Sequence, residues 1–515
     1  MGSRVPGAVA VAVATTPSER KHLHSDAGSC TCSTSTNAAL YNSVDYGRIC
    51  DTAASNRLDK FPDDIGIERK LRDVTEVWRP VCGARKLRSL RRLIFSYTKR
   101  AFWESICDAT ATATPLPQDE YEDPQQIKTL KLNRIKATVP TLAALPSAHD
   151  RIKQSIFGQL HRELRNWNNS SFRRAYISKG HGGQKRAFKV KFLGEGVNDY
   201  GGPYRAVFES IVDELQSDGA IVGRKISERT LLPLLVPCPN RSSGVSSNQD
   251  KYLLSPAPTS PLTQELMQFL GKLIGMAVRH NITLGLTAST LLWRPLVKQS
   301  LGKFHLETVD TLISNQVSEV EKLGLELEEK ARVSGAALAD NFQPEEWRDL
   351  VFATYLSDGT RLPLIPRGED VGVTMSNWKQ YVAFVERARL REGALMFKVL
   401  RDGLSTVLPT ELLPLFTAVE LEQLICGNST VDVQLLQQCT EYEDGLTPDT
   451  QLVVNFWEIL TEMSNEERTL FLRFVWARSR MPASLSELSM NFKLQLASHG
   501  GTDDTDSNPD SYLPS

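Results

Sequence analysis

The sequence predicts an α+β fold dominated by helices. Several long stretches repeat apolar residues at i, i+3, i+4 and i+7, the spacing that gathers side chains on one helix face. Two of them open on capping boxes, Thr417-x-x-Glu420 and Ser464-x-x-Glu467. Strand-like alternation is confined to short runs, of which 187–192 is the clearest: apolar and basic residues take turns from Ala187 to Phe192.

Composition narrows the function classes. The 515 residues are enough for two to four domains. Lys and Arg number 60 against 61 Asp and Glu, so no global field favours nucleic acid or an anionic membrane. The most apolar helix-length run, 262–280, is interrupted by Glu265, Lys272 and Arg279, which argues against a membrane span. Eight scattered cysteines do not suggest a disulfide framework, so a reducing, cytoplasmic setting is expected. The Ala/Val run at 7–14 lacks the Leu-rich core of a secretion signal, and Pro6 stands where a myristoylation site needs Ser or Thr.

In chain order, residues 1–57 are rich in Ser, Thr and Ala and read as a disordered tail. His22, His24, Cys30 and Cys32 fall outside the usual zinc spacings, and no metal or cofactor is expected. Residues 58–150 read as a helical region with an acidic, Pro-rich linker at 114–124. Within it, 65–108 carries a basic cluster at Arg85, Lys86, Arg88, Arg91 and Arg92, read as a solvated helix face. Helices are expected at 125–136 and 150–166. After the strand at 187–192 comes a glycine-rich turn, then a helix with Phe208, Ile211, Val212 and Leu215 on one face. Leu231 to Pro239 is a strand candidate. The run 262–280 is a helix whose Gly271 and Gly275 permit another element to approach closely. Gly427 sits where a helix stop belongs, Pro448 is expected in the first turn of the helix carrying Phe456, Trp457 and Leu460, and Pro482 ends the last helix.

A strand, a glycine-rich turn and a helix also build phosphate sites. Here the spacing is not G-x-G-x-x-G, no Walker lysine follows, and Glu195 and Asp199 put carboxylates where phosphate charge would sit. The segment FLGEGVNDYGGPYRAVF (192–208) instead resembles the F-x-G-E-x-x-x-D-x-G-G-x-x-R-E-x-F signature of HECT ubiquitin ligases, with Ala206 where that family often has Glu. In family order follow YLLSP (252–256), FLGKLIGMAVRHN (269–281), LEQLICG (421–427), TEYEDGLTPDT (440–450), FWEIL (456–460) and RFVWARSRMP (473–482). The ordered matches cover roughly 165–515, and the large HERC-type members are the most similar in pattern.

The resemblance implies a bilobal domain: a large helical N-lobe at 151–427, with a conjugating-enzyme-binding subdomain at about 303–395, and a smaller α/β C-lobe at 428–515. It implies transfer of ubiquitin from a conjugating enzyme to a ligase cysteine and then to a lysine of a substrate protein. The lobes would turn on a hinge at Gly427, Asn428 and Ser429. LETVDTLISNQV (306–317) and NWKQYVAFVERARL (377–390) resemble the family's docking helices and nominate Ile313, Val317 and Tyr381 as conjugating-enzyme contacts. Residues 318–370 depart from the family pattern. In the family a Leu-Pro pair precedes a His-Thr-Cys-Phe run bearing the nucleophile. The chain ends at Leu513-Pro514-Ser515, so that cysteine is expected just beyond Ser515, the C-lobe is expected to be incomplete, and no catalytic residue is assigned. Cys238, Cys426 and Cys439 lack the family's flanking residues and are not expected to replace it. The alternative is a module that recruits a conjugating enzyme or another partner without transfer.

Overall fold

The computed structural model describes residues 10–14, 88–113, 127–177, 184–196, 199, 201–217, 230–244, 248–256, 260–335, 339, 341–476, 479–481 and 492–496. The His22 to Cys32 segment, the linker at 114–124, Arg85 and Lys86, Pro482 and the final Leu-Pro pair lie outside them.

Helix α1 (Ser96–Ala109) buries Trp103, Ile106 and Cys107. Lys99 donates to both carboxylate oxygens of Glu420, at 2.8 and 2.7 Å. Of the described part of the basic stretch before α1, 88–90 are helical and 91–94 form a turn. Arg91 in it is tied to the body, donating to the carbonyls of Val297 and Pro414.

Residues 125–136 do not form the expected helix. Thr129–Leu132 is a strand, β2, paired in parallel with β3 (Lys189–Phe192). Leu130 and Leu132 face the core while Thr129 and Lys131 face solvent. That is period two, hidden in sequence because the partner lies 60 residues on. The helix expected over 150–166 is broken at Ser155, whose hydroxyl accepts from the Gly158 amide and starts α2 (Ile156–Leu164). Helix α3 (Gly202–Leu215) follows the glycine-rich turn, with Gly201 at φ +106° as its cap. A short antiparallel pair, β4 (Leu235–Pro237) and β5 (Tyr252–Leu254), occupies the end of the 231–239 segment.

Helix α4 (Pro261–Arg279) is the axis of the body, and the glycines predicted to admit a neighbour do so. It packs on α9 (Ala394–Ser405). A Cβ on Gly271 would lie 2.0 Å from the Leu400 carbonyl oxygen, and one on Gly403 1.9 Å from that of Gln268. Backbone thus meets backbone on both sides of the crossing. The body's core runs from Trp103 to Cys426 and is closed by α5 (Thr290–Leu296) and α10 (Ala418–Cys426). The Thr417/Glu420 capping box forms as predicted.

Between α5 and α9 the chain leaves the body and builds a separate small core. It comprises α6 (Lys303–Glu307), α7 (Thr311–Ser334), the hairpin of β6 (Ala353–Tyr355) and β7 (Arg361–Pro363), and α8 (Trp378–Arg391). Gly324 on α7 lies under the Trp378 ring, where a Cβ would meet ring atoms at 2.5 Å.

A third core begins at Val431, beyond α10, and gathers α11 (Val433–Gln438), α12 (Gln451–Glu462), α13 (Asn465–Trp476) and a three-stranded sheet. Its strands β8 (Thr440–Tyr442) and β9 (Phe492–Leu496) are parallel. Ala10–Ala14, in the region expected to be a structureless tail, pairs antiparallel with β9 as strand β1 and completes the order β1-β9-β8. The Ser464/Glu467 capping box forms at the start of α13. Pro448 lies before α12, not in its first turn. The Thr450 hydroxyl accepts from the Thr447 amide at 2.9 Å, and this turn delays the helix to Gln451.

Candidate functional site: the interlobe pivot and the helical subdomain

Three surfaces meet at the end of α10. At the end of α10 the Ile425 carbonyl accepts from the Leu284 amide of the body at 2.9 Å, and Cys426 is buried in the body core. Gly427 follows at φ +67°, ψ −168°, a conformation that residues with a Cβ adopt only under strain. A Cβ there would also sit 2.5 Å from the Met481 carbonyl oxygen. The next residues already belong to the third core. The Asn428 amide donates to Met481 at 2.8 Å, and Asn465 donates to the Ser429 carbonyl and accepts from the Val431 amide. Of the three hinge residues predicted, Gly427 alone lies between the two sets of contacts.

The lobes also touch across α3. The carboxylate of Glu209, buried on α3, accepts two bonds of 2.9 Å from the Ser479 hydroxyl and one of 3.2 Å from its amide. Burial raises the Glu209 pKa, against the lowering effect of those bonds. One helical turn on, Asp213 pairs with the Arg473 guanidinium through both carboxylate oxygens. Sequence inspection passed over both acids, because each reads as an ordinary polar position of an amphipathic helix.

At the head of α3, Asp199 accepts from the Val190 and Gly201 amides and lies 3.3 Å from Arg186. The protein's own carboxylate fills the place that a phosphate would take at this helix N-terminus.

The three docking candidates fall in the small core, and two are not presented to solvent. Val317 is 1% exposed and Tyr381 3%, with Tyr381 edge-on to Phe352 at 5.6 Å. Ile313 is half-buried, packed between the small core and the strip that joins it to the body. The exposed apolar side chains of this subdomain include Phe304, Leu312 and Tyr355. Its frame is a buried ion cluster. Arg389 forks to Asp310 and Glu392, both at 2.7 Å, and to the Tyr355 carbonyl. Asp310 also caps α7 through the Ile313 amide. Burial raises the Glu392 pKa, with Arg389 and Ser357 opposing.

The described cysteines, Cys107, Cys238, Cys426 and Cys439, are buried. Burial pushes the Cys426 thiol up to about 12 and the Cys107 thiol to about 11, and raises that of Cys238. The Cys439 thiol donates to the Leu436 carbonyl at 3.1 Å. None of these four is an accessible thiolate. Among the described residues no acid, His and Cys group is placed to hold a metal, and no helix is long and apolar enough to cross a membrane.

A helical body with an attached subdomain, followed beyond Gly427 by a compact α/β lobe, defines a two-lobed domain. Residues 226–515 match the profile of the HECT-domain (ubiquitin-transferase) family. The chain belongs to that family. It is 30% identical over 427 residues to human E3 ubiquitin-protein ligase HERC2, and likewise to the mouse protein, an alignment covering 83% of this chain and 8% of each relative. It is 30% identical over 303 residues to human probable E3 ubiquitin-protein ligase HECTD4, covering 58% of this chain and 7% of that protein. Similarity to zebrafish E3 ubiquitin-protein ligase TRIP12 is 28% over 264 residues, 48% of this chain and 13% of that one. The chain therefore spans under a tenth of the length of the HERC2 and HECTD4 relatives.

Proposed function

We propose that the chain serves ubiquitin transfer of the HECT type, taking ubiquitin from a conjugating enzyme docked on the helical subdomain and presenting it through the carboxyl-terminal lobe to a protein substrate. The observation that carries this reading is the separation of the body core from the third core at one residue, Gly427, in a conformation open to glycine. A lobe so joined can meet two partners in turn, as a two-step transfer requires.

In this reading the body spans 151–427, the docking subdomain about 303–395 and the swinging lobe 428–515. Ile313 contacts the conjugating enzyme directly, beside the exposed Leu312. Val317 and Tyr381 support the docking face from beneath, since neither is exposed. The protein would act in the cytoplasm.

Binding of the full chain to a panel of ubiquitin-charged conjugating enzymes tests the reading. At least one member should bind, and Ile313→Ala should weaken it about tenfold at a temperature where the variant remains folded. If no member binds, the docking role fails. Unchanged affinity in Ile313→Ala would remove that contact alone.

A second reading, recruitment without transfer, is supported by the burial of Cys107, Cys238, Cys426 and Cys439. The two readings part on whether a thiol-sensitive ubiquitin adduct forms on the chain.

A further inference from the structure

We propose that Glu209 and Asp213 are a latch that holds the carboxyl-terminal lobe in one orientation, and that this latch opens before the lobe turns about Gly427. The proposal rests on the hinged reading above and adds the residues that set the lobe's resting position.

Helix α3 is a fixed platform. Phe208, Ile211, Val212 and Leu215 bury its inner face, and Glu214 bonds to the start of α2. Glu209 and Asp213, four residues apart, stand on neighbouring turns and reach the other lobe together. Their partners, Arg473 and Ser479, lie in one short stretch that ends at Met481, the residue paired with Asn428 beside the pivot. The lobe is thus held at the pivot and at two further points on one helix.

The two points differ in kind. Glu209 is buried, and both its oxygens take hydrogen bonds from Ser479, so parting the lobes exposes a carboxylate that water then serves. The Asp213–Arg473 pair is about 40% exposed on each side chain, so it is weaker and screened by salt, but it fixes the direction of approach. Such a latch opens reversibly, because each group released is one that water solvates well. Gly285 belongs to the same fit: a Cβ there would lie 3.0 Å from the Ser479 hydroxyl, so a side chain would crowd the closed latch. Glu209 and Asp213 act on transfer through the lobe's position and are positioning residues, not catalytic ones.

Amide hydrogen exchange and small-angle scattering on the full chain test this without ubiquitin or a conjugating enzyme, so failure here is distinct from failure of the ligase reading. Asp213→Arg and Arg473→Asp should each speed exchange of the Ser479 amide about tenfold, and the double swap should return it to within about twofold of the parent. Glu209→Ala should enlarge the maximum dimension seen by scattering, with amides inside α4 unchanged. If Glu209→Ala also exposes α4, Glu209→Gln decides: it keeps one acceptor for Ser479 and should give a Ser479 exchange rate between parent and charge-reversal variants. Exchange at Ser479 indifferent to charge reversal, a swap that restores nothing, a Glu209→Ala scattering profile that superimposes on the parent with α4 intact, or a Glu209→Gln rate equal to the parent would each overturn the latch.

Discussion

Glu214 caps a helix it does not belong to. Its carboxylate, fully enclosed on α3, accepts from the Ile156 amide at 2.5 Å and the Phe157 amide at 3.0 Å, the first donors of α2. Two orphan amides and a helix dipole favour the anion there. Burial works the other way and prevails, raising the group to about 8.

That balance has a signed consequence. A carboxyl whose pKa is higher folded than unfolded binds more protons in the native state, so its contribution to stability shrinks as pH rises from the unfolded value near 4.5 towards about 8. Glu214→Gln, which keeps a carbonyl acceptor, should remove this dependence. The parent's unfolding free energy, from urea denaturation, should fall from pH 5.5 to pH 8 relative to the variant, by up to roughly 1.4 kcal/mol per pH unit. Parallel curves would contradict this account of Glu214.

The crossing of α4 and α9 leaves no room for a methyl group. Gly271→Ala should cost about 3 kcal/mol or more, since backbone atoms must move to admit it. Gly202→Ala, at an open position at the start of α3, should be neutral or stabilise by up to about 1 kcal/mol. Chemical denaturation of the two variants checks the contrast.

Arg389 carries the subdomain's polar frame. Arg389→Met leaves Asp310 and Glu392 buried without their counter-charge, and should cost about 3–5 kcal/mol. Arg389→Lys cannot reproduce the fork and should recover only part of it. The loss should register as faster exchange in α7 and α8, with α4 unaffected.

Thiol chemistry should follow burial. Under native conditions at pH 7.5, iodoacetamide should leave Cys107, Cys238, Cys426 and Cys439 unmodified, and all four should react in urea. Peptide mass spectrometry locates the label. Modification of native Cys426 would show that the turn before Gly427 opens in solution.

Much of this architecture was legible in the residues. The capping boxes at Thr417 and Ser464 and the glycine pair on α4 are local signals, and each forms as predicted. The misses share a cause, which is dependence on distant partners. Thr129–Leu132 is a strand because Lys189–Phe192 lies beside it, and four residues of period two inside a mixed segment do not announce that. The break at Ser155 needs Glu214, 59 positions later, to complete the new helix start. Pro448 was misplaced because Thr447 and Thr450 close a turn of their own. The docking positions raise a different ambiguity. An apolar face at helical spacing marks the side turned away from water, and a hidden core and a docking groove look alike in that respect. Val317 and Tyr381 belong to the core, and only Ile313 lies near its rim.

The clamping of Asn428, Ser429 and Val431 onto Asn465 and Met481 bears on search kinetics. A long pliant connector would let the outer lobe wander through a large volume, diluting whatever it carries. In the hinged reading proposed above, slack would be confined to Gly427 and any excursion would be an arc of nearly fixed radius. Cargo on that lobe would face its target at the high effective concentration of a very short tether, and the trajectory would be set by one pair of backbone dihedrals.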